Sequence, residues 1–424
     1  MTSERAPDRG YVWAWLQGAT EPVPAGVIET QGDGDGAVLT FAYGRRYLDR
    51  DDAWSPYQPE LPLKPGRQVP GENIENGSFL TCHGVIRDAA PDAWGQRVIM
   101  RRLQGRADRD TDLGDLPLLT YLLEAGSDGP GALDVQASPD VFVDDTATAS
   151  LEDLLEAADR IQAGGPIPAA LEPAMAGGSS LGGARPKAAL VDGARSLIAK
   201  FPKVDDLYPV VGAEAVAMDL AGRVGLDVAP TELVEVGGRS VLLVERFDRP
   251  GGGIRRQFVS ASTVLGLDEI AGRYATYVDV AEKLRTRSPD RAEELRELFG
   301  RIVFNVLVSN TDDHARNHAM FCDRDELVLT PAYDICPQMR TGQVTEQAMA
   351  FGPSGAKSSR LATCVASAAT YDLSETEARE IVDHQVAVVR SEFADVADRA
   401  RLTEPERDFL WGRQFCNPYA FEAD

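Results

Sequence analysis

The order of elements predicts an α+β chain of two lobes: a β-rich N-terminal lobe with an extra N-terminal subdomain, and an all-helical C-terminal lobe. Three observations predict it. Two strand hairpins flank a single helix between residues 187 and 247. After Arg246-Phe247-Asp248-Arg249 and a Gly-rich turn, the pattern changes to mostly helix. Within that helical part an apolar run, FNVLV, feeds a sudden knot of charge, Ser309-Asn310-Thr311-Asp312-Asp313-His314-Ala315-Arg316-Asn317.

Taken in order, YVWAWL, AGVIET and VLTFAY read as short strands, and QGDGDGA as a hairpin-type break. PDAWGQRVIMRRL and LPLLTYLLEA carry apolar residues at helical spacing. SDGPGALDV is a Gly-rich turn into a strand. SLEDLLEAADRI is a helix with Ser150 as N-cap and Asp153 three residues on, resembling a capping box. A flexible stretch, AGGPIPAALEPAMAGGSS, is expected next. AALV and SLIAKF flank Asp192-Gly193, a strong turn signal, and TELVEV and SVLLVERF flank Gly237-Gly238. A helix fits 210–224. Ser288-Pro289 is expected to cap and open a helix over 291–308. HAMFC and LVLTPAY form a small hairpin, and an amphipathic helical tail begins at Ser374. The expected units are 1–140, 141–248 and 249–424.

Composition bounds the function. The chain has 424 residues, 43% hydrophobic and 26% charged, which is globular. Its net charge of −24 argues against sequence-independent nucleic-acid binding, which needs clustered Lys and Arg. MTSERAPDRG has no apolar run, so no secretion signal is expected. Apolar runs are too short to span a bilayer, so no membrane association is expected. Five scattered cysteines without a CxxC pair suit a reducing cytoplasm.

Asp312 and Asn317 lie five residues apart. That is the spacing of a protein-kinase catalytic loop, where the Asp handles the substrate hydroxyl and the Asn holds magnesium. Asp334 follows LVLTPAY and offers a second carboxylate to the metal. Gly182-Gly183-Ala184-Arg185-Pro186-Lys187 forms a loop whose backbone N–H groups can approach a phosphate. Lys187 could add a point charge; an ordinary Gly-rich loop also fits. Lys200, in SLIAKF, can project into a cleft toward phosphate oxygens, with Glu214 as its carboxylate partner. Glu245-Arg246-Phe247 ends a strand at the lobe junction, where backbone would be free to bond an adenine edge. His314 is placed among the nucleotide-binding residues. The strand–helix–strand–helices order is that of a two-lobed kinase.

Together these stretches resemble the HipA family of bacterial toxin kinases. The resemblance rests on SSLGGARPKAAL, SLIAKF, LLVERFDR, SNTDDHARNHA and LTPAYDICP, and in the N-terminal region on VWAWLQGA, FLTCHGVIRDAAPDAWGQRVI and AGSDGPGAL. It implies a protein-kinase-like fold and a serine/threonine kinase using ATP and magnesium. Such kinases phosphorylate aminoacyl-tRNA synthetases and are held by a small helix-turn-helix, HipB-like antitoxin, through which alone they meet DNA. Position by position, it implies Asp312 as catalytic base, Asn317 and Asp334 as magnesium ligands and Lys200 as phosphate lysine. It further implies Gly182 to Lys187 as phosphate loop, Glu245 and Phe247 as adenine hinge, and Ser180 as a self-phosphorylated switch. Two departures stand out: Arg185 replaces a commonly amide-bearing residue, and ASTVLGL lacks the acidic-hydrophobic pattern many members show.

Two other readings fit the residues. His314 and His318, with Asp312, could bind a transition metal in a hydrolase. A catalytically silent, ATP-binding or antitoxin-docking pseudokinase is the other. The stretch MRTGQVTEQAMAFGPSGAKSSR occupies the place of an activation loop, or is a mobile surface loop.

Overall fold

The computed structural model describes residues 7–32, 34–72, 79–105, 111–146, 149–177, 183–340, 342 and 344–423. An N-terminal antiparallel sheet has the order β4-β3-β2-β1-β5, from β1 (Arg9–Trp15), β2 (Pro22–Gln31), β3 (Val38–Tyr43), β4 (Arg67–Gln68) and β5 (Leu133–Gln136). The three strands expected first are therefore present. A four-stranded sheet follows, order β6-β7-β9-β8, from β6 (Lys187–Asp192), β7 (Arg195–Lys200), β8 (Thr231–Val236) and β9 (Arg239–Glu245). Its two hairpins turn at the predicted Asp-Gly and Gly-Gly pairs, where Gly193, Gly237 and Gly238 all have positive φ.

Among the described residues, six helices exceed ten residues: α1 (Ala93–Gln104), α2 (Leu151–Gln162), α3 (Val210–Arg223), α4 (Tyr277–Arg287), α5 (Arg291–Leu307) and α6 (Glu375–Arg399). Ser150 caps α2 by accepting from Asp153 N, and Ser374 with Glu377 forms a complete capping box on α6. On α5 the cap is Asp290, accepting from Glu293 N, rather than Ser288. Asp290 sits immediately before the first helical residue, so its carboxylate reaches a first-turn N–H group. Among the described residues, the C-terminal lobe holds three of these helices, α4 to α6, and one small sheet. There β10 (Phe258–Ser260) joins the expected hairpin of β11 (Ala319–Asp323) and β12 (Glu326–Leu329).

The stretch expected to be flexible after α2 carries regular structure. Residues Glu172–Gly177 form a short helix, and Ala174, Met175 and Ala176 are buried. Small apolar residues let this turn sit closely against α1 and β6. The core it joins combines Trp94, Val98 and Ile99 of α1 with Leu154, Leu155 and Ile161 of α2 and Leu197 and Leu243 of the second sheet. So α1, sequentially before residue 140, shares a core with the small lobe.

The N-terminal part also grips the helical lobe. Asp88 accepts from Ser260 N (2.7 Å) and Ser260 Oγ (2.9 Å), and Arg287 donates to the Tyr57 hydroxyl (2.8 Å). Glu60 is buried and accepts from Gly84 N and Val85 N at 3.0 and 2.8 Å. Burial pushes its carboxyl up to about 7, against the pull of those bonds. The folded chain thus binds a proton that the unfolded chain releases near its ordinary pKa of about 4.3. The stability Glu60 contributes is full below that value and is lost as pH rises through about 7. Between pH 5 and 8, the thermal midpoint of the parent is expected to fall relative to that of Glu60→Gln. Parallel curves would contradict this assignment.

Candidate active site

Helix α5 buries eleven of its seventeen residues and ends by delivering the charged knot to a cleft. Ser309, at φ 54°, reverses the chain beyond the helix, and Asn310 N bonds back to Asn305 O (2.9 Å). The two consecutive aspartates then part. Asp313 is buried, and its Oδ2 accepts from Asn305 Nδ2 (2.7 Å), from the Tyr277 hydroxyl and from His318 Nε2 (2.8 Å). One carboxylate therefore ties α4, α5 and the start of β11 together beneath the loop. Asp312, one residue earlier, is exposed at the cleft.

The chain after Asp334 is fixed to the same loop. Gln338 N bonds Ser309 O (2.9 Å), Ala348 N bonds Thr311 O (3.1 Å), and Tyr277 N bonds Ala350 O (2.8 Å). Gln347, Met349 and Phe351 are buried. This part of the segment in the activation-loop position is therefore not a free surface loop.

Opposite, β7 carries Lys200 into the cleft. Its ammonium bonds Glu214 of α3 and Asp334 Oδ1 (2.5 Å). Burial alone would lower the Lys200 pKa, but the Asp334 and Glu214 carboxylates outweigh it and raise it. Burial pushes Glu214 up, against the pull of Lys200. Burial would raise Asp334 as well, but Lys200 and then Lys187 hold its carboxyl below the ordinary range. The site thus keeps a lysine cation between two carboxylates. Asp334 itself has φ 59°, in the left-handed region that costs a non-glycine residue strain.

Beside the expected phosphate loop lies a cleft of about 530 Å³ lined by Gly183, Ala184, Arg185, Lys187, Lys200, Glu214, Asp312 and Asp334. Arg185 is turned to Asp206 (2.5 Å). Lys187 is buried and paired with Asp92 (2.6 Å), so its charge is shared with the N-terminal part. Gly182, Ser179 and Ser180 lie outside the described residues.

An apolar slot adjoins Lys200, lined by Ile198, Ala229, Val244, Phe247, Phe258 and Tyr333 among others. Phe247 sits edge-on to Phe258, and Tyr333 donates to Arg316 O (2.8 Å), linking slot to loop. The expected free hinge backbone needs correction at two positions. Glu245 N already bonds Pro230 O (2.8 Å), and Arg246 N bonds Ser196 O (2.9 Å). The Arg246 guanidinium is buried against Asp128 and Asp248, an arrangement that ties the strand end to the N-terminal part. Only long-range pairing explains it, which a local pattern could not show.

His314 lines a second cleft, of about 520 Å³, that meets the first at Gly183 and Asp312. Of the His314–His318 metal alternative, His318 turns its Nε2 to Asp313. Among the described residues, no three His, Cys, Asp or Glu side chains converge as a metal-binding group. Asn317 offers a different chemistry. It is buried, its Nδ2 donates to Asp312 O (3.4 Å), and its Oδ1 has no partner among the described residues. An orphaned buried amide oxygen, together with the Asp334 carboxylate, fits a hard cation such as magnesium.

The HipA-like C-terminal domain matches residues 179–393, just over half the chain. The chain belongs to the HipA family. A protein of Sinorhizobium fredii named "Putative kinase Y4mE" is 34% identical over 146 residues, 32% of this chain and 33% of that protein. The serine/threonine-protein kinase toxin HipA of Shewanella oneidensis is 30% identical over 159 residues, 32% of this chain and 36% of that protein. The matches thus span about a third of the length of these relatives. A solved complex of HipA, HipB and operator DNA from Shewanella oneidensis MR-1 has the same fold. Its match has a TM-score of 0.66 and 19% identity, covering 92% of each chain. The HipA-family chain therefore has a protein-kinase-like α+β architecture. Among the described residues, no helix is long and apolar enough to cross a membrane.

Proposed function

We propose that this HipA-family chain is an ATP-dependent serine/threonine kinase and the toxin of a toxin–antitoxin pair. The observation that carries the reading is Lys200 held between Glu214 and Asp334 in a cleft that Asp312 also lines. Phosphoryl transfer asks mainly for positioning and charge neutralisation. In this reading the adenine enters the apolar slot at Phe247 and Tyr333, and the phosphates lie along the Gly183–Lys187 loop. Lys200 moves its contact from Asp334 to phosphate oxygens. Magnesium, held by Asn317 and Asp334, would neutralise phosphate charge. Asp312 orients the acceptor hydroxyl and takes its proton late.

The acceptor is a serine or threonine of a protein, with an aminoacyl-tRNA synthetase or another translation factor as the class proposed. The relative's complex with HipB supports a HipB-like partner here, with DNA met only through that partner, in the cytoplasm. Ser180 is kept as the proposed site of self-phosphorylation.

Oxygen-only ligands favour magnesium or manganese over zinc. ATP affinity should rise with magnesium and fall at least tenfold, about 1.4 kcal/mol, in Asp334→Ala. Calorimetry showing magnesium-independent ATP binding would count against the assignment. A pseudokinase would bind ATP yet transfer nothing.

A further inference from the structure

We propose that Asp92, in the N-terminal part of the chain, is a positioning residue that sets ATP affinity by holding Lys187 at the root of the phosphate loop. The inference rests on the kinase reading above and adds a residue to it.

Asp92 is the N-cap of α1, and its Oδ1 accepts from Trp94 N and Gly95 N, both at 3.0 Å. Its other oxygen takes the Lys187 ammonium at 2.6 Å, with the two side chains 1% and 2% exposed. The same helix holds Lys187 a second time, because Trp94 Nε1 donates to the Lys187 carbonyl (2.9 Å). Lys187 is thus fixed at both ends by one helix turn. It is also the register partner of Lys200 across β6 and β7. The loop folds back over it: a Cβ on Gly183, at φ 105°, would lie 2.9 Å from the Lys187 ammonium.

The location gives the pair its meaning. Lys187 lines the phosphate cleft and Asp92 lines the second cleft, and Gly183 and Asp312 line both. The ion pair is therefore part of the wall between the nucleotide and the space beside Asp312. An apolar pair would hold this wall at least as firmly, since burying two charges costs nearly what their attraction returns. What an apolar pair could not do is keep an ammonium under the loop at a set place. Asp92 touches neither the proposed nucleotide nor the reacting atoms, so it acts through Lys187.

The test is calorimetric ATP titration, with magnesium, of the full chain. Asp92→Asn keeps a cap acceptor and removes the charge. Its ATP dissociation constant is expected to rise about tenfold, within the usual range for coupling between distinct groups. In a Lys187→Met background the same substitution should change affinity by less than about twofold, because the interaction is already gone. If Asp92→Asn alone fails to fold, adding Lys187→Met should restore folding with the affinity of Lys187→Met alone. Asp92→Asn binding like the parent, a full penalty persisting in the Lys187→Met background, or no restoration would each overturn the proposal. A parent that binds no ATP would instead overturn the kinase reading.

Discussion

Asp312→Asn is expected to fold as the parent does, to bind ATP, and to transfer phosphate about 10²- to 10⁴-fold more slowly, the scale of a positioned base. The fold should tolerate the change because Asp312 is exposed, while its neighbour Asp313 makes the buried bonds that shape the loop. The two aspartates should therefore separate experimentally. Asp313→Ala leaves the Asn305 amide and the Tyr277 hydroxyl without their acceptor, at about 1–3 kcal/mol for each buried group so stranded. Radiolabel transfer and a thermal melt on the two variants check both halves. Transfer by Asp312→Asn within a few-fold of the parent would remove it from the catalytic role.

Lys200→Met should be the more damaging substitution overall. It removes the cation between Glu214 and Asp334 and leaves two carboxylates facing each other. Losing one partner of a buried pair costs about 3–5 kcal/mol, and losing a charge aimed at the transition state costs about 10²- to 10³-fold in rate. The two effects can be told apart. Adding Glu214→Gln removes one stranded charge and should recover part of the stability, by denaturant titration, without recovering transfer. Recovery of activity in that double variant would show that Lys200 serves only to neutralise Glu214.

The sequence carried those features whose signal is local. Short strand-like runs split by Gly and Asp clusters marked β1 to β3, the Asp-Gly and Gly-Gly pairs marked both small-lobe hairpins, and the hydroxyl-to-carboxyl spacing marked the cap at Ser150. The Lys200–Glu214 pair was also within reach, being one strand and one helix apart. What escaped is held by contacts between distant segments. Asp92 meets Lys187 across 95 residues, and Arg246 meets Asp128 across 118. Neither separation leaves a periodic trace, so Lys187 read as a plain phosphate lysine and Arg246 as part of a hinge. The helix at 172–177 was missed because Pro173 and Gly177 within it outweigh Ala174, Met175 and Ala176, which only packing makes helical. Asp313 was hidden by its neighbour: the doublet gives no sign of which aspartate is buried. An amide, Asn305, within the apolar run of α5 was the available hint, since a buried amide needs partners.

The decisive measurement is the intact mass of the parent and Asp312→Asn chains after incubation with ATP and magnesium. The parent is expected to gain phosphate on the peptide spanning residues 175–187, while Asp312→Asn stays unmodified over the same interval. A parent that binds ATP yet gains no phosphate and passes none to an added protein, or equal modification of both chains, would contradict the kinase reading.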